Sequence, residues 1–245
     1  MIMDLSTTLG LARSLVIYHN PLRLIALRRF YAGLLPAGAL AFDVGAHVGS
    51  RARVLRAAGA RVVAVEPQAA FARFLRRTLP RDITLIEAAL GPRETTAEMA
   101  VSALHPTVST LQPDFAETAG AAPGFGHVRW DRRQTVQVTT LDRLIATHGR
   151  PDYIKIDVEG FELDVLAGLS QPIPLISVEY LPPLPEHTLR VLARLAELGP
   201  YRFNPVTGEN GRFLWSDWRD GPATAAWLQG LPPTARSGDL YARLS

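Results

Sequence analysis

The chain has 245 residues, 47% of them apolar, which is ample for one sizeable core and excludes a mini-protein that needs staples. It has no cysteine, so disulfides, thiolate metal sites and a cysteine nucleophile are excluded and a cytoplasmic location is expected. The net charge is +3 with both signs interspersed, which gives nucleic-acid binding little support, and the 26 basic side chains include one lysine, Lys155.

Residues 1–36 read as one or two helices. Leu5, Leu9, Leu15 and Tyr18 are apolar, as are Leu24, Ile25, Leu27 and Tyr31 after Pro21. The segment is too short and too charged to span a bilayer, and Asp4 suits a signal peptide poorly. A helical cap on the main domain is expected, with membrane-surface contact as the alternative. From Ala39 short apolar runs alternate with helical patterns, the texture of a parallel sheet with crossover helices in one domain over 37–245.

The spacing predicts strands over Ala39–Val44, Arg61–Val65 and Ile83–Leu90, with helices over Ser50–Ala58 and Ala69–Leu79 between them. Residues 91–134 show no clear period and read as an inserted lid, with a hairpin near Thr95–Ser109 and then a flexible stretch. Thr135–Val138 is strand-like, and Thr140 is placed to cap a helix over Leu141–His148. Strands follow at Tyr153–Asp157 and Leu175–Tyr180, with helices at Phe161–Leu169 and His187–Leu198. The tail suggests a strand Tyr201–Asn204, a hairpin through 207–211 into Phe213–Trp215, and a last strand Asp239–Leu244.

Chemistry concentrates at strand ends. Asp43 closes the first strand before a turn with Gly45 and Gly49, where backbone can approach a ligand closely. The Gly-x-x-x-Gly spacing lacks the pattern that seats a dinucleotide pyrophosphate, which argues against NAD. Asp43 either fixes its own turn or meets a cation such as the amino group of a methionine moiety. Glu66 ends the second strand, where a carboxylate accepts both hydroxyls of a ribose; Glu87 and Ala88 end the third, at an adenine's edge.

Tyr153-Ile-Lys-Ile-Asp-Val-Glu-Gly160 places Lys155 and Asp157 on one face of a central strand. A central parallel strand is normally apolar on both faces, so this pair must satisfy itself or a ligand. Arginine serves at the other basic positions, and the compact ammonium of Lys155 is expected to be buried and paired with Asp157 or another carboxylate.

Phe42-Asp-Val-Gly-Ala-His-Val-Gly, Val65-Glu-Pro, Ala89-Leu-Gly, Thr140-Leu-Asp and Ile154-Lys-Ile-Asp-Val-Glu-Gly, in this order, resemble the FkbM family of S-adenosylmethionine-dependent methyltransferases. The resemblance implies an α/β class I methyltransferase fold, Rossmann-like and doubly wound. Its seven-stranded sheet has the order 3-2-1-4-5-7-6, with the last strand antiparallel and here an N-terminal helical extension. It also implies cofactor binding by Asp43, Gly45, His47, Gly49, Glu66, Pro67, Glu87, Ala88 and Asp157. The family's loop usually has Asn where this chain has His47, whose imidazole can contact the ligand or take a proton.

An O-methyltransferase acting on a hydroxyl of a sugar, glycolipid or polyketide-like metabolite is the leading expectation. Asp157, Glu159, Glu179 and His47, in that order, are the candidate bases, and Lys155 orients them. No compact metal-ligand motif is present and no metal is expected, although Asp157, Glu159 and Glu179 are the oxygens Mg²⁺ would use. The competing readings are an NAD-linked oxidoreductase and a non-catalytic binding subunit. Ser109, Phe115, Phe125, His127 and Trp130 suit a lid over the acceptor. Tyr180, Trp215 and Trp218 suit either the acceptor pocket or the core, and His19, His105, His148 and His187 read as loop or helix-end residues.

Overall fold

The computed structural model describes residues 10, 11, 13–15, 20–102, 109–111, 131–208 and 210–245. Helix α1 spans Pro21–Leu34, and proline opens it where a missing N–H costs nothing. The Asn20 side chain accepts the Leu22 and Arg23 amides at 3.1 and 3.4 Å. Leu27 and Tyr31 are its buried positions, and they pack against α2 (Ser50–Ala57) and one face of the main sheet.

That sheet runs β3 (Thr84–Ile86), β2 (Arg61–Val65), β1 (Leu40–Val44), β7 (Tyr153–Ile156), β8 (Leu175–Tyr180), β10 (Gly238–Leu244), β9 (Tyr201–Thr207). Each pair from β3 to β8 is parallel, and β10 is antiparallel to both of its neighbours. This is the strand order and orientation that the resemblance implies. Helices α1, α2 and α3 (Ala69–Thr78) cover one face; α4 (Leu141–His148), α5 (Glu162–Ala167) and α6 (Pro185–Leu198) cover the other.

The two faces differ in chemistry. Phe42, Val44, Ile154, Ile156, Ile176 and Val178 alternate onto the α4–α6 side and build an aliphatic core. On the α1–α2 side an in-register row crosses the strands: Asp43 beside Lys155, Lys155 beside Ser177, Ser177 beside Tyr241. The Tyr31 hydroxyl lies 3.3 Å from that of Tyr153 and 3.1 Å from that of Tyr241, and Tyr153 meets Ser177 Oγ at 2.7 Å. Helix α1 therefore closes a buried polar face, which needs hydrogen-bond partners far more than an apolar one does.

Three predicted elements are corrected. The third strand does not run unbroken over Ile83–Leu90: it turns at Glu87-Ala88, and β4 (Ala89–Leu90) joins a second sheet of order β4-β6-β5. There Ala89 and Leu90 pair with Val138 and Thr139, and Ala89, Met99, Val136 and Val138 form a separate small core. Among the described residues β5 (Thr95–Val101) forms its ladder with β6 (Arg132–Thr139), and a single antiparallel bridge joins Ala100 to Thr110.

In the tail, Phe213–Trp215 forms no strand, because the Asn204 amide brackets the Trp215 backbone with bonds of 3.0 and 3.1 Å. A helix outside the predicted elements, α7 (Gly221–Gln229), follows; Asp220 caps it on the Ala223 amide at 2.9 Å and proline stands in its first turn. The flexible stretch, together with Phe115, Phe125, His127, Trp130, His19 and His105, lies outside the described residues.

Candidate functional site

A cleft of about 1070 Å³, counted out to its open mouth, lies at the carboxyl ends of β1, β2 and β7. Open α/β sheets bind ligands at such a place. Asp43, Gly45, His47, Glu66, Pro67, Ala88, Lys155, Asp157 and Glu159 all line it. Glu179 stands beside them on β8, so the ligand oxygens of Asp157, Glu159 and Glu179 come within 4.8 Å of one another. Arg23, Leu24 and Leu27 of α1 and Ser109 and Leu111 of the insertion complete the walls.

The loop after β1 is held by backbone. Gly45 and Ala46 donate to the Val65 carbonyl at 3.0 and 2.9 Å, which ties the turn to β2. Gly45 has φ +83°, and a Cβ there would stand 1.9 Å from the Asp157 carbonyl oxygen, so only glycine fits. His47 has φ 51°, a left-handed conformation that asparagine and histidine tolerate better than most residues. That gives a physical reason for the exchange of one for the other at this position. The His47 ring rests 4.2 Å from that of Phe71, and burial lowers its pKa to about 4, so it is a poor base at neutral pH.

Glu66 is buried at 3% exposure and accepts the His47 and Gln68 amides at 2.8 Å each. Burial raises its pKa to about 7 against the pull of these amides. Each oxygen keeps a lone pair for a further donor. Asp43 is buried, its Oδ2 has no hydrogen-bond partner among the described residues, and its pKa rises to about 6, chiefly through burial. An unpaired buried acceptor in a ligand cleft fits a cationic donor.

The end of β7 is held by side chains. Lys155, 3% exposed, lies 2.6 Å from Asp157 and 3.7 Å from Asp239, and Arg51 reaches Asp239 at 3.6 Å. Burial alone would lower the Lys155 pKa, but Asp157 and Asp239 outweigh it and the ammonium is firmly held. Burial likewise pushes Asp157 up, and Lys155 overrides it, so this carboxylate is held below its ordinary range. Glu159 and Glu179 lie well above theirs, first through burial and then through repulsion from Asp157.

Two predicted cofactor residues do not reach the cleft. Gly49, with φ +74°, caps α2 and faces α3, where a Cβ would come 2.7 Å from Leu75. The exposed Glu87 turns outward because the Arg76 guanidinium grips both its oxygens at 2.7 and 2.6 Å. Tyr180, Trp215 and Trp218 are packing residues: Tyr180 and Trp215 each meet Trp227 edge-on at 5.3 Å, and Trp218 meets Phe213 at 5.0 Å.

The residues that sequence reasoning missed are Arg51 and Asp239, which share Lys155's network, and Glu162, which receives the loop after β7. Nothing local in the sequence marks Arg51 on its helix or Asp239 on the last strand as members of that network. The one available signal was alternation, which puts Asp239 and Tyr241 on the same face.

The methyltransferase FkbM domain profile matches residues 43–200. No curated protein matches the chain. Among solved structures the chain is similar to cofactor-bound Rv0187 from MTB, at 11% identity, covering 100% of this chain and 92% of that one, with TM-score 0.47. A TehB-like SAM-dependent methyltransferase from Corynebacterium glutamicum is similar at 10% identity, 95% and 94% coverage and TM-score 0.47. An O-methyltransferase from Bacillus cereus in complex with SAH is similar at 12% identity, 100% and 93% coverage and TM-score 0.43. The profile match overturns the oxidoreductase reading, as the glycine spacing foreshadowed. Among the described residues no helix is long and apolar enough to cross a membrane.

Proposed function

We propose, from the premise that this chain belongs to the FkbM methyltransferase family, that it moves a methyl group from S-adenosyl-L-methionine to a hydroxyl of a sugar, glycolipid or polyketide-like metabolite. When bound, the cofactor supplies an activated methyl group on a sulfonium. The Asp43 oxygen that has no partner among the described residues receives its ammonium, Glu66 accepts the ribose hydroxyls while holding its two amides, and Ala88 borders the adenine. Gly45, bare of a side chain, lets this turn lie against the Asp157 carbonyl at the end of β7.

One observation carries the reading: two carboxylates in the cleft and a third beside them, Glu179, come within 4.8 Å of one another with proton affinities pushed apart. Environments that split neighbouring titratable groups in this way assign their acid and base roles. Asp157, ionised by Lys155, binds a proton too weakly to serve as the base and instead orients the acceptor by accepting its hydrogen bonds. Glu159 leads as the base, ahead of Asp157, because a carboxylate with raised pKa is better matched to a hydroxyl near neutral pH. His47, neutral and against Phe71, contacts the ligand.

Calorimetry with S-adenosylhomocysteine at pH 6, in two buffers of different ionisation heat, tests this. Saturable binding with proton release is expected, since an ammonium drives the proton off Asp43. No binding would sink the reading. Binding without turnover of any hydroxylated acceptor would favour the non-catalytic subunit.

A further inference from the structure

The residues Val158, Glu159 and Gly160 hang beyond the last ladder bond of β7, and their shape is fixed from outside the strand. Glu159 has φ 53° and Gly160 φ 91°, so two consecutive residues are left-handed and one of them carries a side chain. Such a conformation persists only where the surroundings over-determine it. Glu162, in the first turn of α5 and 2% exposed, supplies that constraint. Its Oε1 accepts the Val158 amide at 3.1 Å and the Gly160 amide at 3.3 Å, one on each side of Glu159.

Its other oxygen, Oε2, meets His187 Nε2 at 2.6 Å, so α6 anchors the carboxylate from behind. On the opposite side the Thr110 hydroxyl donates to the Glu159 carbonyl at 2.8 Å. Thr110 is fastened to Ala100 by backbone bonds of 2.9 and 3.0 Å. The peptide plane before Val158 is thus held by Glu162, and the plane after Glu159 is held by Glu162 and Thr110 together, and the Glu159 side chain points into the cleft beside Asp157 and Glu179. A buried carboxylate with one oxygen shared by two amides of this loop and the other held by His187 acts as a strut.

We propose that Glu162, backed by His187, is a positioning residue that sets the Glu159 carboxylate in the reaction cleft by holding the Val158 and Gly160 amides. The inference rests on reading Glu159 as the base, and it acts through that residue without touching substrate.

The test uses the full chain labelled with [δ-¹³C]glutamate, with the Glu159 signal identified by its loss in Glu159→Gln. Glu159 faces Asp157, Glu162, Glu179 and Lys155 and titrates above an ordinary glutamate. In Glu162→Ala its midpoint should fall by at least one pH unit more than in Glu162→Gln. The glutamine still accepts both amides and meets His187, so it removes the charge and keeps the strut. Exchange of the Val158 and Gly160 amides should quicken at least tenfold in the alanine variant alone.

Equal falls in the two variants would reduce Glu162 to a nearby charge, and an unmoved Glu159 midpoint in the alanine variant would overturn the proposal outright. Should Glu162→Ala fail to fold, His187→Leu reports instead, with a smaller shift in the same direction expected and no shift overturning it. Neither titration nor exchange needs cofactor, so a wild-type chain that fails to bind S-adenosylhomocysteine would defeat the functional reading and leave this result standing.

Discussion

The loops after β1 and β7 lie side by side and solve one problem in opposite ways. Each follows a strand-end carboxylate, Asp43 or Asp157, set beside Lys155 across or along the sheet. Around the β1 turn burial outweighs the amides: Glu66, at the end of β2, accepts two backbone N–H groups, Asp43 has one oxygen open among the described residues, and both have raised pKa values. After β7 an ammonium at 2.6 Å reverses the sign for Asp157 and leaves the cost of repulsion to Glu159 and Glu179. Burial by itself therefore does not say whether a carboxylate is charged; the nearest cation does. A neutral-leaning loop suits a ligand that brings positive charge, and a loop with one fixed anion and two proton-hungry neighbours suits proton removal.

Removing the cation should erase the difference. Lys155→Met leaves Asp157 and Asp239 buried without their partner, and a loss of about 3–5 kcal/mol in urea unfolding is expected. Lys155→Arg should restore little of it, since a planar guanidinium does not occupy the place of a compact ammonium. A loss under about 1 kcal/mol would show that the network is ornamental.

Next in size, Glu66→Ala should weaken S-adenosylhomocysteine binding by roughly 10- to 100-fold in calorimetry, the worth of charge-assisted hydrogen bonds. It should leave the titration of Glu159 unmoved.

The pH dependence of stability follows from the first loop. Asp43 and Glu66 keep their protons to about 6 and about 7 in the fold, against 3.8 and 4.5 ordinarily. The folded chain then binds more protons than the unfolded chain from roughly pH 4 to 7, so their contribution is full below that window and lost as pH rises through it. His47, lowered from 6.5 to about 4, works the other way between those values. Glu159 and Glu179 side with the two acids. A urea midpoint of the ligand-free chain that falls from pH 5 to 7.5 is expected, and a rise would contradict the assignment of burial as the dominant cause.

The smallest effect belongs to Glu87→Ala. With its side chain outside the cleft and on Arg76, it should change S-adenosylhomocysteine affinity by less than twofold. A larger change would return Glu87 to the adenine's edge.

The sheet was legible because buried strands are apolar runs: Arg61–Val65 and Leu175–Tyr180 were read to the residue. Lys155 was legible because a lone charge in such a run has to be paired. Partners that arrive from far along the chain left no local mark. Asp239 reaches Lys155, and Glu162 with His187 frames Glu159, through contacts that no spacing rule encodes. The second sheet escaped for the same reason, since β4 and β5 both pair with β6 across the insertion. Gly45 and Gly49 looked alike in sequence, yet one is emptied for the Asp157 carbonyl and the other for Leu75.

The first of those two glycines also links the loops mechanically. With 1.9 Å between its missing Cβ position and the Asp157 oxygen, no slack separates the turn after β1 from the segment after β7. Whatever nudges one displaces the other, so under the proposed roles cofactor retention and acceptor seating share a single point of contact, and the grip on one ligand is not adjusted without moving the other.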